Sequence, residues 1–313
     1  MFYKDLPPYL KELVQTCPSI GAQFIPSNRE ESDDETVTCS DPLMEEESTV
    51  TRGLVHKYGN RALVLLTMNC RAYCRFCTRR RKVSDIERGL ITEEDLERMI
   101  AYLKVHTEIR ELVISGGDPL TVPAILRKAL QAFSKMDQIK IIRIGSRLPA
   151  IDPLAINEEI ISTLMLVKKQ PLYLMLHFEH PSELTPELLE SVKKLRQATT
   201  MIFSQSVFLK GVNDNFETLY KLFSGLLEIG VKPYYLYRCD YVKGAGHFIV
   251  PLEKEIKIMT ELRRRLSGLA CPMYVIDTPN GSGKVPVPLD FWDFDKTKFR
   301  DFQGEEIEIV EPN

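Results

Sequence analysis

The sequence predicts an α/β protein: an open, partial parallel (β/α)6 barrel with a short N-terminal extension and a short C-terminal tail. Three observations predict it. Six short apolar runs recur from residue 62 onward, segments of helical period separate them, and several of those segments open on residues that start helices.

In chain order the runs are ALVLLT (62–67), ELVIS (111–115), IKIIRIG (139–145), LYLML (172–176), MIFSQSV (201–207) and PYYLYR (233–238). Each has strand length and is rich in β-branched or aromatic residues. Thr92 precedes EEDLERMIAYL, Pro123 precedes AILRKALQAF, and Thr185-Pro186 precede ELLESVKKLRQ. A threonine oxygen can accept from the orphan N–H groups of a first turn, and proline fits that turn because its missing N–H had no partner there. A seventh strand-like piece, MYVID (273–277), follows the last helix. Six β/α units imply parallel strands, which bury both faces and so need covering helices; ligands then belong at the carboxyl ends of the strands.

The 313 residues divide into an N-terminal segment (1–50), a core (51–290) and a tail (291–313). An acidic, aromatic-poor stretch at about 29–49 reads as a solvated arm between the first two. The chain is 44% hydrophobic and 27% charged, enough to bury a full-sized core. A net charge of -3 with both signs interspersed argues against a nucleic-acid partner. No apolar run approaches a membrane span and the N-terminus lacks a signal peptide's apolar stretch, so a cytoplasmic location and a small-molecule partner are expected.

In that compartment cysteines stay reduced, and a tight group of three among seven reads as metal ligation. Cys70, Cys74 and Cys77 stand in a C-x3-C-x2-C spacing directly after the first predicted strand. Three thiolates can hold three irons of a 4Fe-4S cluster and leave the fourth open, whereas electron-transfer clusters take four cysteines. A structural zinc site is the alternative, but it wants a fourth nearby cysteine or histidine. The stretch resembles the radical S-adenosylmethionine superfamily, down to Phe76 before the last cysteine. The resemblance implies that fold, and a cofactor that chelates the open iron and is cleaved to a 5'-deoxyadenosyl radical. Ser115-Gly116-Gly117-Asp118-Pro119, which ends the second predicted strand, resembles that superfamily's glycine-rich segment for the cofactor's amino group. Its glycines would let backbone approach a ligand.

Residues 19–290 are similar to the lysine 2,3-aminomutase family. The match is carried by Gln23-Phe-Ile-Pro-Ser, Asp41-Pro-Leu, Cys77-Thr-Arg-Arg-Arg, Ser115-Gly-Gly-Asp-Pro-Leu, Arg143-Ile-Gly-Ser-Arg, His177-Phe-Glu-His-Pro, Gln205-Ser-Val, Gly211-Val-Asn-Asp and Cys239-Asp. The resemblance implies an isomerase that moves an amino group between adjacent carbons of lysine or a lysine-like amino acid, with pyridoxal 5'-phosphate as a further cofactor. It makes Lys284, after a glycine-containing turn, the residue that carries pyridoxal phosphate. A mobile loop would let that lysine swing aside for substrate. Arg79 would meet the substrate carboxylate with its planar fork, and Asp240 with Asp277 would grip the distant ammonium, favouring lysine over glutamate. Lys57, Tyr58 and Arg61 would hold the pyridoxal phosphate, and His177 and Gln205 would lie near S-adenosylmethionine.

Family members commonly have arginine where Lys57 stands, and Asn213-Asp214-Asn215 replaces their Asn-Asp-Cys. After the lysine only residues 285–313 remain, without cysteine, which leaves those members' auxiliary metal site and their homo-oligomeric assembly in question. In its short length the chain also resembles the branch of the family that rearranges a lysine on elongation factor P, which brings a second substrate, a lysine for or on that protein. An electron donor of the flavodoxin or ferredoxin type completes the expected partners. A non-catalytic iron-sulfur protein is the remaining class.

Overall fold

The computed structural model describes residues 4–31, 38–83, 89–279, 281–290, 298–300 and 305–308. Most of the tail expected at 291–313, residues 32–37 of the acidic stretch and Asn280 lie outside the described residues.

Ten strands form one sheet, and they lie in it in chain order. They are β1 (Thr49–Thr51), β2 (Leu54–Tyr58), β3 (Arg61–Thr67), β4 (Glu111–Gly116), β5 (Ile141–Ser146), β6 (Leu172–His177), β7 (Met201–Val207), β8 (Lys232–Tyr237), β9 (Met273–Asp277) and β10 (Lys284–Pro286). Every pairing from β3 to β9 is parallel, while β1, β2 and β10 pair antiparallel at the two ends. The barrel is therefore open between β1 and β10, and the six predicted β/α units and the seventh strand are all present. The predicted runs do not include β1, β2 or β10: β1 and β10 are three residues each, and in β2 (LVHKY) the apolar pair is followed at once by His56 and Lys57.

Helices Glu93–Val105, Pro123–Phe133, Glu158–Leu164, Pro186–Gln197, Phe216–Glu228 and Leu252–Arg265 cover the outside. Their starts follow from sequence. Thr92 Oγ1 accepts from Asp95 N at 3.1 Å while Asp95 Oδ2 accepts from Thr92 N at 3.0 Å, a reciprocal capping box. Thr185 caps Leu188, with Pro186 at the first helical position. Apolar residues at helical spacing, such as Leu96, Met99 and Leu103 or Leu126, Ala129, Leu130 and Phe133, bury against Leu112, Ile114, Ile142 and Ile144 from the sheet's outer face. Phe133 is fully buried there, and truncating it to alanine would cost about 3–5 kcal/mol.

Alternation then puts the other residues of each strand on the inner face. β4 and β5 alternate half-buried with buried positions along their whole length. The half-buried set includes Arg61, Val113, Arg143, Tyr173, Phe203, Gln205 and Tyr235, so the inside of the open barrel is aromatic and polar rather than aliphatic. Among the described residues no helix is long and apolar enough to cross a membrane.

Candidate active site

The cysteine loop leaves β3 at its carboxyl end and is fixed there by the glycines after β4. A Cβ on Gly116 would sit 2.1 Å from Thr67 O, and one on Gly117 would sit 2.3 Å from Asn69 O. Gly117 N donates to Thr67 O at 2.6 Å and Asp118 N to Asn69 O at 2.7 Å. The two glycines thus make room for the root of the cysteine loop as well as for any ligand. Asp118, buried, accepts from Ser146 Oγ (2.9 Å), Arg147 N (2.8 Å), Leu148 N (2.8 Å) and Leu120 N (3.1 Å). Its carboxylate is committed to protein donors and organises the turns after β4 and β5.

Cys70, Cys74 and Cys77 are all free thiols. Burial, followed by the neighbouring thiols, raises Cys70 well above its ordinary value and Cys77 to about 11. Burial also raises Cys74, against the pull of the Arg147 guanidinium. Three thiols that oppose one another's ionisation form a donor set that a cationic cluster relieves, since ligation requires the thiolates. The arrangement therefore fits a 4Fe-4S cluster.

The acidic stretch departs from the sequence reading. Its described residues are docked by ion pairs onto the arginines around the cysteines rather than solvated. Glu30 takes Arg75 and Arg80, Asp41 and Glu46 take Arg81, and Glu45 takes Arg79. Cys39 adds a parallel bridge to Val242. Glu45, 4% exposed, receives Arg79 Nε at 3.0 Å on both oxygens and Nη2 at 2.6 Å. Burial alone would raise the Glu45 carboxyl; the charge and hydrogen bonds of Arg79 more than reverse this and hold it below its usual range. The Nη1 arm of Arg79 has only long contacts, 3.5 Å to Ser115 Oγ and to Gly116 O.

At the other side of the opening, β10 pairs with β9 so that Lys284 lies opposite Asp277. Lys284 is the first residue of a strand and not a loop residue; the turn before it is closed by Thr278 N donating to Gly283 O at 2.9 Å, with Gly281 and Gly283 at positive φ. Lys284 Nζ donates to Asp277 Oδ1 at 2.8 Å. Burial would lower this amine, but Asp277, Tyr58 and Asp240 together raise it. Asp240, half-buried, is pushed up to about 8 by desolvation and by the charge of Asp277, against the attraction of Lys284.

The hairpin β2–β3 brings Lys57, Tyr58 and Arg61 to the same place. Lys57 is lowered by burial and feels both Asp277 and Lys284; its Nζ donates to Leu43 O at 2.8 Å. The Arg61 guanidinium lies 4.2 Å over the Tyr58 ring and has no carboxylate partner among the described residues. A half-buried arginine without a counter-ion, beside a desolvated lysine and a second, aldehyde-capable lysine, fits a phosphorylated pyridoxal ring.

His177 and Gln205 are register partners at the ends of β6 and β7. Gln205 Nε2 donates to Tyr237 Oη at 2.8 Å, and Lys284 Nζ lies 5.6 Å over the Tyr237 ring. Tyr237 thus links the two sets of residues, a role that PYYLYR, read as strand core, did not disclose. Glu45 and Arg147 were also missed, since neither burial of an acidic-stretch residue nor an arginine's aim is written in local sequence.

The model of the Radical SAM superfamily matches residues 64–223. A putative L-lysine 2,3-aminomutase of Aquifex aeolicus is 40% identical, covering 89% of this chain and 76% of its own length. The L-lysine 2,3-aminomutase of Bacillus subtilis is 36% identical over 98% of this chain and 66% of its own. A glutamate 2,3-aminomutase of Clostridioides difficile is 32% identical over 90% and 66%. The chain thus spans about two thirds of the latter two relatives. Among solved structures, a radical SAM methyltransferase from Sphaerobacter thermophilus shares the fold, with a TM-score of 0.52 at 16% identity over 71% of this chain and 68% of that one. A 4Fe-4S cluster and S-adenosylmethionine are the cofactors of this superfamily. With these relatives aligned across nearly its whole length, the chain belongs to the lysine 2,3-aminomutase family of radical S-adenosylmethionine enzymes.

Proposed function

We propose that the protein is an isomerase that shifts the amino group of free L-lysine to the adjacent carbon, with pyridoxal 5'-phosphate carried by Lys284. The observation that carries this reading is the placement of one half-buried amine, Lys284, against two carboxylates, Asp277 at 2.8 Å and Asp240 nearby. When bound, the cluster with S-adenosylmethionine supplies the hydrogen-abstracting radical and pyridoxal phosphate supplies a covalent handle for the migrating nitrogen.

The chain's own residues do the rest. Arg61 and Lys57 hold phosphate, and the Tyr58 ring lies beside them. With pyridoxal phosphate bound, Lys284 would be drawn away from Asp277, and Asp240 with Asp277 would be left to take the substrate's distant ammonium. A glutamate side chain would bring a further negative charge beside Asp277 and no cation for either aspartate, which argues against it as substrate. The Nη1 arm of Arg79 offers spare donors to the α-carboxylate, and the aromatic inner wall of Tyr173, Phe203, Tyr235 and Tyr237 excludes water. A flavodoxin- or ferredoxin-type donor would reduce the cluster.

A second reading has its own support. The Arg79 fork is already filled by Glu45, and a lysine residue inside elongation factor P would need no carboxylate partner. Anaerobic incubation of the cluster-loaded protein with S-adenosylmethionine, pyridoxal phosphate, a reductant and L-lysine tests the choice. β-Lysine formed by wild type and not by Lys284→Ala supports the proposal. Deoxyadenosine without β-lysine redirects it to elongation factor P, and neither product would falsify the enzymatic reading.

A further inference from the structure

On the helix side of the sheet, away from the cysteine loop, a ring nitrogen from each of His56 and His106 and a carboxylate oxygen of Glu108 lie within 4.8 Å of one another. Two pieces of chain deliver them: β2, which carries His56, and the connection between helix Glu93–Val105 and β4, which carries both His106 and Glu108. We propose that these residues form a site for a divalent transition-metal ion of the zinc class, with water as the fourth ligand.

The two rings are held as ligands usually are. His56 Nδ1 is 2.9 Å from Tyr102 Oη, and His106 Nδ1 is 2.8 Å from Glu108 Oε1. The carboxylate beside His106 Nδ1 accepts its N–H and leaves the lone pair on Nε2. His56 Nε2 is enclosed and has no hydrogen-bond partner, which is costly for a buried polar atom and is relieved by a metal. Tyr102 stacks on the His106 ring at a centroid distance of 4.0 Å, and the His56 and His106 rings meet edge-on at 5.6 Å. Two imidazoles and one carboxylate suit zinc, cobalt or nickel rather than magnesium or calcium. Closing the triangle to the roughly 3.4 Å edge of a zinc tetrahedron asks most of Glu108, whose side chain is exposed. The ion would pin β2, the strand that carries Lys57 and Tyr58, to the end of the helix.

The test uses the untagged full chain with its cluster loaded, so that the cysteines are occupied. Zinc and iron per chain are measured after equilibration with buffered Zn2+, for wild type, His106→Asn and Glu108→Gln. The proposal expects one zinc per wild-type chain, lost in His106→Asn and weakened at least tenfold in Glu108→Gln, with iron unchanged in all three. Glu108 is exposed, so its variant keeps the test meaningful should loss of the His106–Tyr102 stack unsettle the fold. Equal zinc in wild type and both variants, or none in any, overturns the proposal.

Discussion

Nη1 of Arg147 lies 2.8 Å from Sγ of Cys74, and its Nη2 meets the side-chain oxygen of Gln23. The guanidinium is also sandwiched, 4.7 Å from the Phe24 ring and 5.4 Å from Phe76. Gln23 and Phe24 belong to the helix Pro18–Phe24, so the N-terminal segment reaches the Cys74 thiol through one arginine.

A cationic donor on a ligand sulfur withdraws charge and favours the reduced cluster. Arg147→Gln should therefore lower the cluster's reduction potential while leaving iron content at three quarters of wild type or better. Redox titration followed by electron paramagnetic resonance reads this directly. A potential unmoved or raised would show that the contact does not act on the cluster.

Glu45 and Arg79 make a different kind of prediction, because the pair is buried at both ends. Glu45→Gln leaves the guanidinium with no full counter-charge and should cost about 3 kcal/mol of stability. The sign with pH follows from the depressed Glu45 value. Its stabilisation is complete above the ordinary carboxyl value of 4.5 and is lost as pH falls through the lower folded value. Denaturant unfolding at pH 7 and pH 3 should show the wild-type advantage at the first and a much smaller one at the second. The same variant frees Arg79, so KM for lysine should fall; a rise would mean that Arg79 does not meet the substrate carboxylate.

Burial and the charge of Asp277 push Asp240 up to about 8. Above that value it is an anion and attracts an ammonium; below it the attraction is weak. KM for lysine should drop as pH rises from 7 to 9, and Asp240→Asn should raise KM roughly tenfold or more and flatten the profile. In the substrate-free chain the linkage runs the other way. A raised folded value stabilises below the ordinary 3.8 and is lost as pH rises through 8, so Asp240→Asn should be relatively more stable than wild type at pH 9. A wild-type KM that is level across the range would remove Asp240 from the ammonium site.

What could be read from sequence and what could not divide along physical lines. The parallel strands and their helices were legible because their apolar periodicity is local, as in ELVIS or AILRKALQAF. The β1–β2 hairpin and β10 were not, since each is a short piece that becomes a strand only by lying against an edge. The grouping of Cys70, Cys74 and Cys77 in one loop after β3 was legible from their spacing. The arginine and acid pairing was not: the stretch around Glu45 has the composition of a solvated arm, and only the folded sheet brings Arg75, Arg79, Arg80 and Arg81 within its reach. Tyr237 was hidden in an aromatic run whose inward face depends on an irregularity in register between β7 and β8.

The glycines after β4 give the sharpest separation of packing from ligand binding. Gly117 has a Cβ position 2.3 Å from Asn69 O and 2.7 Å from the Met68 carbonyl carbon, both backbone atoms that cannot swing aside. Gly117→Ala should therefore push the root of the cysteine loop outward. Cys70, one residue beyond Asn69, is the thiol that moves most, while the helices and the outer core lie far from the clash. We expect near wild-type far-ultraviolet circular dichroism with iron incorporation reduced severalfold and the 4Fe-4S absorbance lost in proportion. A variant that loads iron normally but binds S-adenosylmethionine poorly would instead assign Gly117 to the cofactor. The two outcomes are separated by measuring iron per chain before any S-adenosylmethionine is added.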